Sequence, residues 1–203
     1  LEGKKYTIDD IRTLDLTEHV RLRPQMYFYE CFSKKNLNPL VADMLCHAVD
    51  EYLDNNCNKI IIGINDNLLL IEYNAGMSLK ESQGLTSAEC IMTKISACSN
   101  QKKHLEIGAE FCLLGMATIN AASERCELKT NWNMQRGHFI FENGSTVFNE
   151  ISPDDISEES TKISFRMSHE VFGELKFEWT DLQHRLDILS EKLPNLKIEL
   201  YKL

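Results

Sequence analysis

Asp43, His47 and Glu51 recur every fourth residue within Asn36 to Asn56, NLNPLVADMLCHAVDEYLDNN. On a helix that spacing stacks a carboxylate, an imidazole and a second carboxylate in one line. These are groups that move protons: an ionised carboxylate can take one from water, and an imidazole can pass one near neutral pH. To act on a substrate the row must look into a pocket. Leu37, Leu40, Val41, Met44, Leu45, Ala48, Val49 and Tyr52 repeat at helical spacing, which predicts one amphipathic helix with the polar row on the border of its apolar stripe. The plainer alternative for Asp43 and His47 is an i,i+4 pair at the rim of a core, contributing about 0.2–0.5 kcal/mol and no chemistry. Glu51 then reads as a structural or solvated carboxylate.

The helix needs a sheet to pack on, and the chain supplies one. NKIIIGIN at 58–65 and LLLIEY at 68–73 are β-rich runs joined by Asp66-Asn67, a hairpin signal, and their near-continuous apolar character predicts a sheet covered by helices. Strands are expected at about 126–132, 137–142, 145–148 and 161–167, with turns at Arg136-Gly137 and Asn143-Gly144, and a last strand over 196–203. Asn143-Gly144-Ser145 matches a glycosylation acceptor but reads better as a hairpin turn. Helical patterns fall over 6–20, 84–99, 107–124 and 181–193, the last stopped by Pro194, while Pro24 makes 21–27 an extended or turning connection. The sum is an α+β fold, a two-layer sandwich with helices on one face of a mostly antiparallel mixed sheet. One domain over 1–203 is expected, with an amino-terminal arm at 1–16 and a cloning remnant at 1–3.

With 203 residues, 43% apolar and 26% charged, the composition is that of an ordinary globular protein, and the net charge of −9 opposes general binding to nucleic acid or to an acidic membrane. Seven cysteines without a C-x-x-C pair read as reduced core residues of a cytoplasmic protein. A metal site from Cys46, His47 and Cys57 is the sharper alternative, but its spacing fits no common zinc pattern. No signal peptide and no membrane-length apolar run occur in the sequence.

The order RLRPQMYF, HAVDEYLDNNCNKIIIGI, a strand ending near Gly76, GMATINAASERCEL, STKISF and DLQHRLDILSEKL resembles the amino-terminal ATPase domain of the gyrase B subunit and topoisomerase IV, a member of the GHKL group. The resemblance runs from about Ile11 to the carboxyl end and implies ATP and Mg²⁺ as cofactors. It places Asp43 where the family has the glutamate that activates water, shorter by one methylene, or roughly 1 Å of reach. It places His47 where the family has an asparagine on Mg²⁺, a cation that prefers oxygen ligands. Glu72, in Glu72-Tyr73-Asn74-Ala75-Gly76, falls where the family's D-x-G-x-G aspartate holds adenine, and Gly76 retains one of its glycines. Gly108 to Gly115 corresponds to the glycine-rich phosphate loop, with Leu113 in place of a glycine. Glu110 there would oppose a phosphate by about 4 kcal/mol at 4 Å and an effective dielectric of 20 if it pointed inward. A plain amphipathic helix accounts for the same stretch without a ligand. Asn120 and Thr161 keep the family's asparagine and adenine-site threonine, and Lys102 and Lys103 lie in the lid-like connection.

Two functions follow from the resemblance. One is a degenerate domain, a pseudo-ATPase with lost or weak ATP binding, acting as an interaction or regulatory module through a protein partner or as a homodimer. The alternative is a working ATP-binding domain of a type II topoisomerase-like subunit, with Asp43 as base and Glu72 and Thr161 on adenine. Neither has this domain touch nucleic acid or a membrane directly.

Overall fold

The computed structural model describes residues 13–95 and 113–203. Its first element, α1 (Leu16–Leu22), starts on a capping box in which Asp15 accepts from the Glu18 N–H and Glu18 reaches back to the Asp15 N–H. The stretch expected to be extended is helical instead. Pro24 opens a short helix, α2 (Pro24–Tyr27), where its fixed φ and missing N–H are tolerated, and α3 (Tyr29–Lys34) follows.

The central helix is not continuous. A 3₁₀ turn over Asn38–Leu40 leads into α4 (Val41–Met44), Leu45 interrupts, and α5 (Cys46–Leu53) completes it. The amides of Leu45 and Val49 still reach the carbonyls four residues back, so the predicted face survives the interruption. Leu37, Leu40, Val41, Met44, Leu45, Ala48 and Val49 are all buried.

β1 (Lys59–Asn65) and β2 (Leu68–Tyr73) form the expected hairpin, with Asp66 at φ 47° in the turn. A two-residue pair, β3 (Glu81–Ser82) and β4 (Leu85–Thr86), precedes α6 (Ser87–Thr93), which Thr86 and Glu89 cap reciprocally. α7 (Met116–Ala121) is followed at once by β5 (Ser123–Trp132), β6 (Gln135–Glu142), β7 (Ser145–Pro153) and β8 (Ser160–Met167). The β6–β7 turn is the Asn143-Gly144 pair, with both φ values positive. α8 (His169–Phe172), α9 (Trp179–Lys192) and β9 (Lys197–Lys202) complete the chain.

The seven-stranded sheet has the order β7-β6-β5-β8-β2-β1-β9, antiparallel except where β9 runs parallel to β1. This is the expected mostly antiparallel mixed sheet with helices on one side. Its inner face turns Ile60, Ile62, Leu69, Ile71, Leu128, Phe139, Phe141, Ile163 and Phe165 into the helical layer, all fully buried. Each such side chain stabilises the fold by about 1.5–3 kcal/mol relative to leaving it in water. Asn38 locks the helical layer together, accepting from the Glu178 amide at 2.9 Å and donating to the Glu178 carbonyl and the Asp181 carboxylate at the start of α9.

Cys31, Cys57, Cys90 and Cys126 are free, but Cys46 is disulfide-bonded. This departs from the expectation of uniformly reduced thiols. It also takes the Cys46 sulfur out of any metal set with His47 and Cys57. Among the described residues no helix is long and apolar enough to cross a membrane.

Candidate functional site

Asp43 lies within the first α-helical segment of the central helix and is 4% exposed. Its Oδ1 accepts the backbone N–H of Leu114 at 2.7 Å and that of Gly115 at 3.0 Å. These two amides lie directly before α7, where Gly115, at φ 75°, adopts a conformation that only glycine takes without strain. Burial pushes the Asp43 carboxyl above the usual carboxylate range, and the amides of Leu114, Gly115 and Leu113 pull it back. The partner of Asp43 is therefore main chain from the far side of the sequence, and its carboxylate oxygen acts as an anchor for the entry to α7.

His47, one turn further along, is almost fully buried in α5. Its Nδ1 lies 2.9 Å from the Tyr73 hydroxyl, and its Nε2 faces Glu51 Oε1 at 3.6 Å. Burial lowers the imidazole pKa to about 4, opposed only in part by the charge of Asp50. Burial also raises the Tyr73 phenol well above its ordinary value, with the neighbouring Thr161 side chain acting against it. The imidazole is neutral and the phenol protonated, so one ring nitrogen donates and the other accepts; the tautomer with its proton on Nε2, toward Glu51, is the one that lets Nδ1 accept from the Tyr73 O–H. Burial raises the Glu51 carboxyl as well, while the Asn56 side chain donates to it at 2.8 Å.

The row Asp43, His47, Glu51 shares one helix face, but Asp43 bonds away from it to the α7 entry, while His47 bonds to β2 and faces Glu51, which in turn accepts from Asn56 beyond the end of α5. The pair Asp43 and His47 does not fit Mg²⁺. That ion needs several hard oxygen ligands in octahedral array, whereas here one nitrogen is held by a phenol and one carboxylate oxygen already takes two amides. Among the described residues no group of three or more His, Cys, Asp or Glu is arranged to hold a metal ion.

Strand alternation separates Glu72 from this row. In β2, Leu69, Ile71 and Tyr73 turn inward, so Glu72 lies on the outer face, where Lys162 of β8 pairs with it at 2.6 Å. The inward residue at the end of the strand is Tyr73. Thr161 does sit beside it, 2% exposed, but its hydroxyl donates to the Ala75 carbonyl at 2.7 Å and lies 3.0 Å from Thr130 Oγ1. Thr130 in turn accepts the Met77 amide at 2.8 Å. Together the two threonines fasten the segment leaving β2. Gly76 is buried in that segment, and a Cβ there would collide with the Asn131 carbonyl oxygen, so its role is close approach of two backbones. Asn74 clamps the other side, its Oδ1 accepting from the amides of Asn58 and Lys59 at 3.1 and 3.0 Å.

Asn120 is fully buried in α7 and donates to the Met92 carbonyl at 2.8 Å, joining α7 to α6. Its Oδ1 is buried without a partner among the described residues. Glu110, Gly108, Lys102 and Lys103 lie outside the described residues, while Leu113 is 70% exposed. Sequence reasoning gave Tyr73 no role and missed that it is the buried partner of His47. Nothing in the sequence signals that Asp43 binds backbone amides, because those donors have no side-chain identity.

A seven-stranded, largely antiparallel sheet with helices on one face, and an interrupted central helix whose polar row faces the end of β2 and the entry to α7, are consistent with the fold of a gyrase-B-like GHKL domain. Similarity to known proteins agrees. The chain is 29% identical over 200 residues to the B subunit of DNA gyrase from Rickettsia typhi, a match covering 95% of this chain and 25% of that protein. It is 26% identical over 201 residues to the B subunit of DNA gyrase from Thermotoga maritima, covering 97% of this chain and 31% of the relative. To the B subunit of the type 2 topoisomerase from Aquifex aeolicus it is 25% identical over 202 residues, covering 97% and 25%. The chain therefore spans about a quarter of the length of most of the curated relatives it matches. No family model matches it.

Proposed function

We propose that this is a GHKL domain that has given up metal-dependent ATP hydrolysis and serves as an interaction or regulatory module. The observation that carries the reading is the seat of Asp43. In the family the corresponding amides, ahead of the helix, receive phosphate oxygens. In this chain the Leu114 and Gly115 amides are taken by the protein's own carboxylate. An anion entering there would displace a bonded carboxylate and then lie against its charge, a repulsion of about 4 kcal/mol at 4 Å and an effective dielectric of 20. The neutral, phenol-bonded His47 and the outward Glu72 support the same reading, since neither offers the contact the family makes to Mg²⁺ or adenine.

The domain extends over 1–203 in this reading, works in the cytoplasm, and acts through a protein partner or a second copy; its net charge of −9 sets it against direct nucleic-acid contact. The test is thermal melting with and without millimolar Mg-ATP, alongside a turnover assay. A ligand that binds only the native state raises its stability by mass action, so an unchanged melting temperature and no turnover are expected. Magnesium-dependent turnover that Asp43→Asn abolishes overturns the proposal.

The second reading, a working ATP-binding domain of a type II topoisomerase-like subunit, is favoured by one observation: the likeness to the B subunits of gyrase and type 2 topoisomerase holds over nearly the whole chain. A raised melting temperature with Mg-ATP would select it.

A further inference from the structure

The two edges of the sheet are unlike. β9 carries Lys197, Glu199 and Lys202, charges of the kind that discourage another strand from pairing. β7, with nine residues, carries Glu150 alone. Its neighbour β6 satisfies one side, and among the described residues no strand pairs with the other: every residue of β7 is exposed or half-exposed. Apolar side chains project from both of its faces. Asn149 bonds Glu89 of α6 and so points toward the helices, as does Ile151 two residues on, while Phe148 lies on the outer face against the His138 ring. Phe148 is 40% and Ile151 42% exposed, and Ile156 beyond the strand is 46% exposed. The bulge at Val147 and Pro153 near the end bound a straight run, Phe148 to Ser152, whose outward N–H and C=O groups are those of an unfinished ladder.

Charge identifies what would finish it. Between Arg136 and Lys162 the chain has no Lys or Arg, while Glu150, Asp155 and Glu158 are exposed and form no ion pair among the described residues. A second copy of a chain with net charge −9 would bring the same acidic edge against itself. We infer that the β7 edge receives an extended segment of a partner protein in which Lys or Arg alternates with apolar residues, added as an eighth strand. The backbone ladder supplies affinity, Ile151 selects apolar side chains on the face toward the helices, and Glu150 beside Phe148 on the outer face, with the acidic run beyond, selects the basic ones. This names a partner class for the interaction role proposed above and rests on that reading. Its test reads nothing at Asp43, so its failure leaves the hydrolysis question where it stood.

The probe is a fluorescein-labelled nine-residue peptide alternating lysine with valine, followed by anisotropy at low and at physiological salt. Two controls accompany it: the same residues in two blocks, and the alternating peptide N-methylated at every second residue, which removes one row of its ladder donors. Binding of the alternating peptide is expected, weakened about tenfold or more by blocking, by N-methylation and by Ile151→Lys. The triple change Glu150→Gln, Asp155→Asn, Glu158→Gln should steepen the loss at low salt, where charge attraction is strongest. Ile151 is half out in solvent, so Ile151→Lys should keep the parent melting temperature; the N-methylated peptide probes the same contact without altering the protein. Equal affinity for all three peptides would mean charge attraction alone and overturns the proposal, as does no binding at millimolar peptide. A dimer of the parent protein in sedimentation that Ile151→Lys dissociates assigns the edge to a second copy and overturns it too.

Discussion

Replacing Asp43 with alanine removes the acceptor for two main-chain donors that have no other described partner. Hydrogen bonds to a charged acceptor contribute about 1.5–3 kcal/mol each, so the pair at 2.7 and 3.0 Å to Leu114 and Gly115 is worth roughly 3–6 kcal/mol gross. Against this stands the desolvation of a carboxylate left 4% exposed, whose raised pKa shows that the bonds do not fully offset its burial. The net loss for Asp43→Ala is therefore about 2–3 kcal/mol. Asp43→Asn keeps a neutral oxygen acceptor and has no charge to desolvate, and should stay within about 1 kcal/mol of the parent. Urea unfolding at pH 7 measures both through the midpoint at constant slope. Amide exchange at Leu114 and Gly115 reports the bonds themselves: protection should fall in the alanine variant and persist in the asparagine variant. An alanine variant within about 0.5 kcal/mol of the parent, with both amides still protected, would refute the anchoring role and with it the main support for a blocked phosphate seat.

Stability should depend on pH through His47. Its pKa in the fold is about 4 against an ordinary 6.5, so the unfolded chain takes up the proton first; stability is fully present above pH 6.5 and is lost as pH falls toward 4, at up to about 1.4 kcal/mol per pH unit. Asp43 and Glu51, raised by burial, act in the opposite sense in acid, so the readout is the difference between the parent and His47→Gln, whose urea midpoint should fall less steeply across that window. Identical slopes would mean that His47 is not held neutral. Gly76→Ala drives a methyl into the Asn131 carbonyl and should lower stability by about 1–3 kcal/mol or more, seen as a lower melting temperature; a tolerated alanine would mean that the two backbones can part. Glu72→Gln breaks an exposed cross-strand ion pair with Lys162 and should change stability by less than about 1 kcal/mol, with no effect on any nucleotide-induced melting shift. A loss well above 1 kcal/mol in urea unfolding would mean that Glu72 does more than pair with Lys162 at the surface.

The apolar face of the central helix, the β1–β2 hairpin, the Asn143-Gly144 turn and the final helix and strand could be read from the sequence because each is a local pattern with a local cause. Thr86 and Glu89 mark the start of α6 in the same way, although the helix begins later than its apolar spacing alone suggests. What could not be read was direction. LLLIEY is apolar at consecutive positions, so its alternation gives no way to choose which residue of Glu72 and Tyr73 faces the helices; packing of β2 between β1 and β8 decides it. Asp43 looked like the partner of His47 because they are neighbours on a helix, yet each bonds a group remote in sequence. Pro24 reads as a helix breaker but sits where a helix tolerates it best, in the first turn of α2.

The placement of β8 beside β2 and of β9 beside β1 sets a schedule for the chain as it is made. The β1–β2 hairpin can close as soon as it leaves the ribosome, but the strands that flank it are encoded far downstream, at 160–167 and 197–202. At about 5–20 residues per second, the newborn hairpin waits on the order of ten seconds with both long sides bare. Over that interval its isoleucines and leucines are a target for chaperones and for aggregation. A chain cut short before Lys197 would never cover the flank of β1 and should collect in inclusion bodies even with its helices intact.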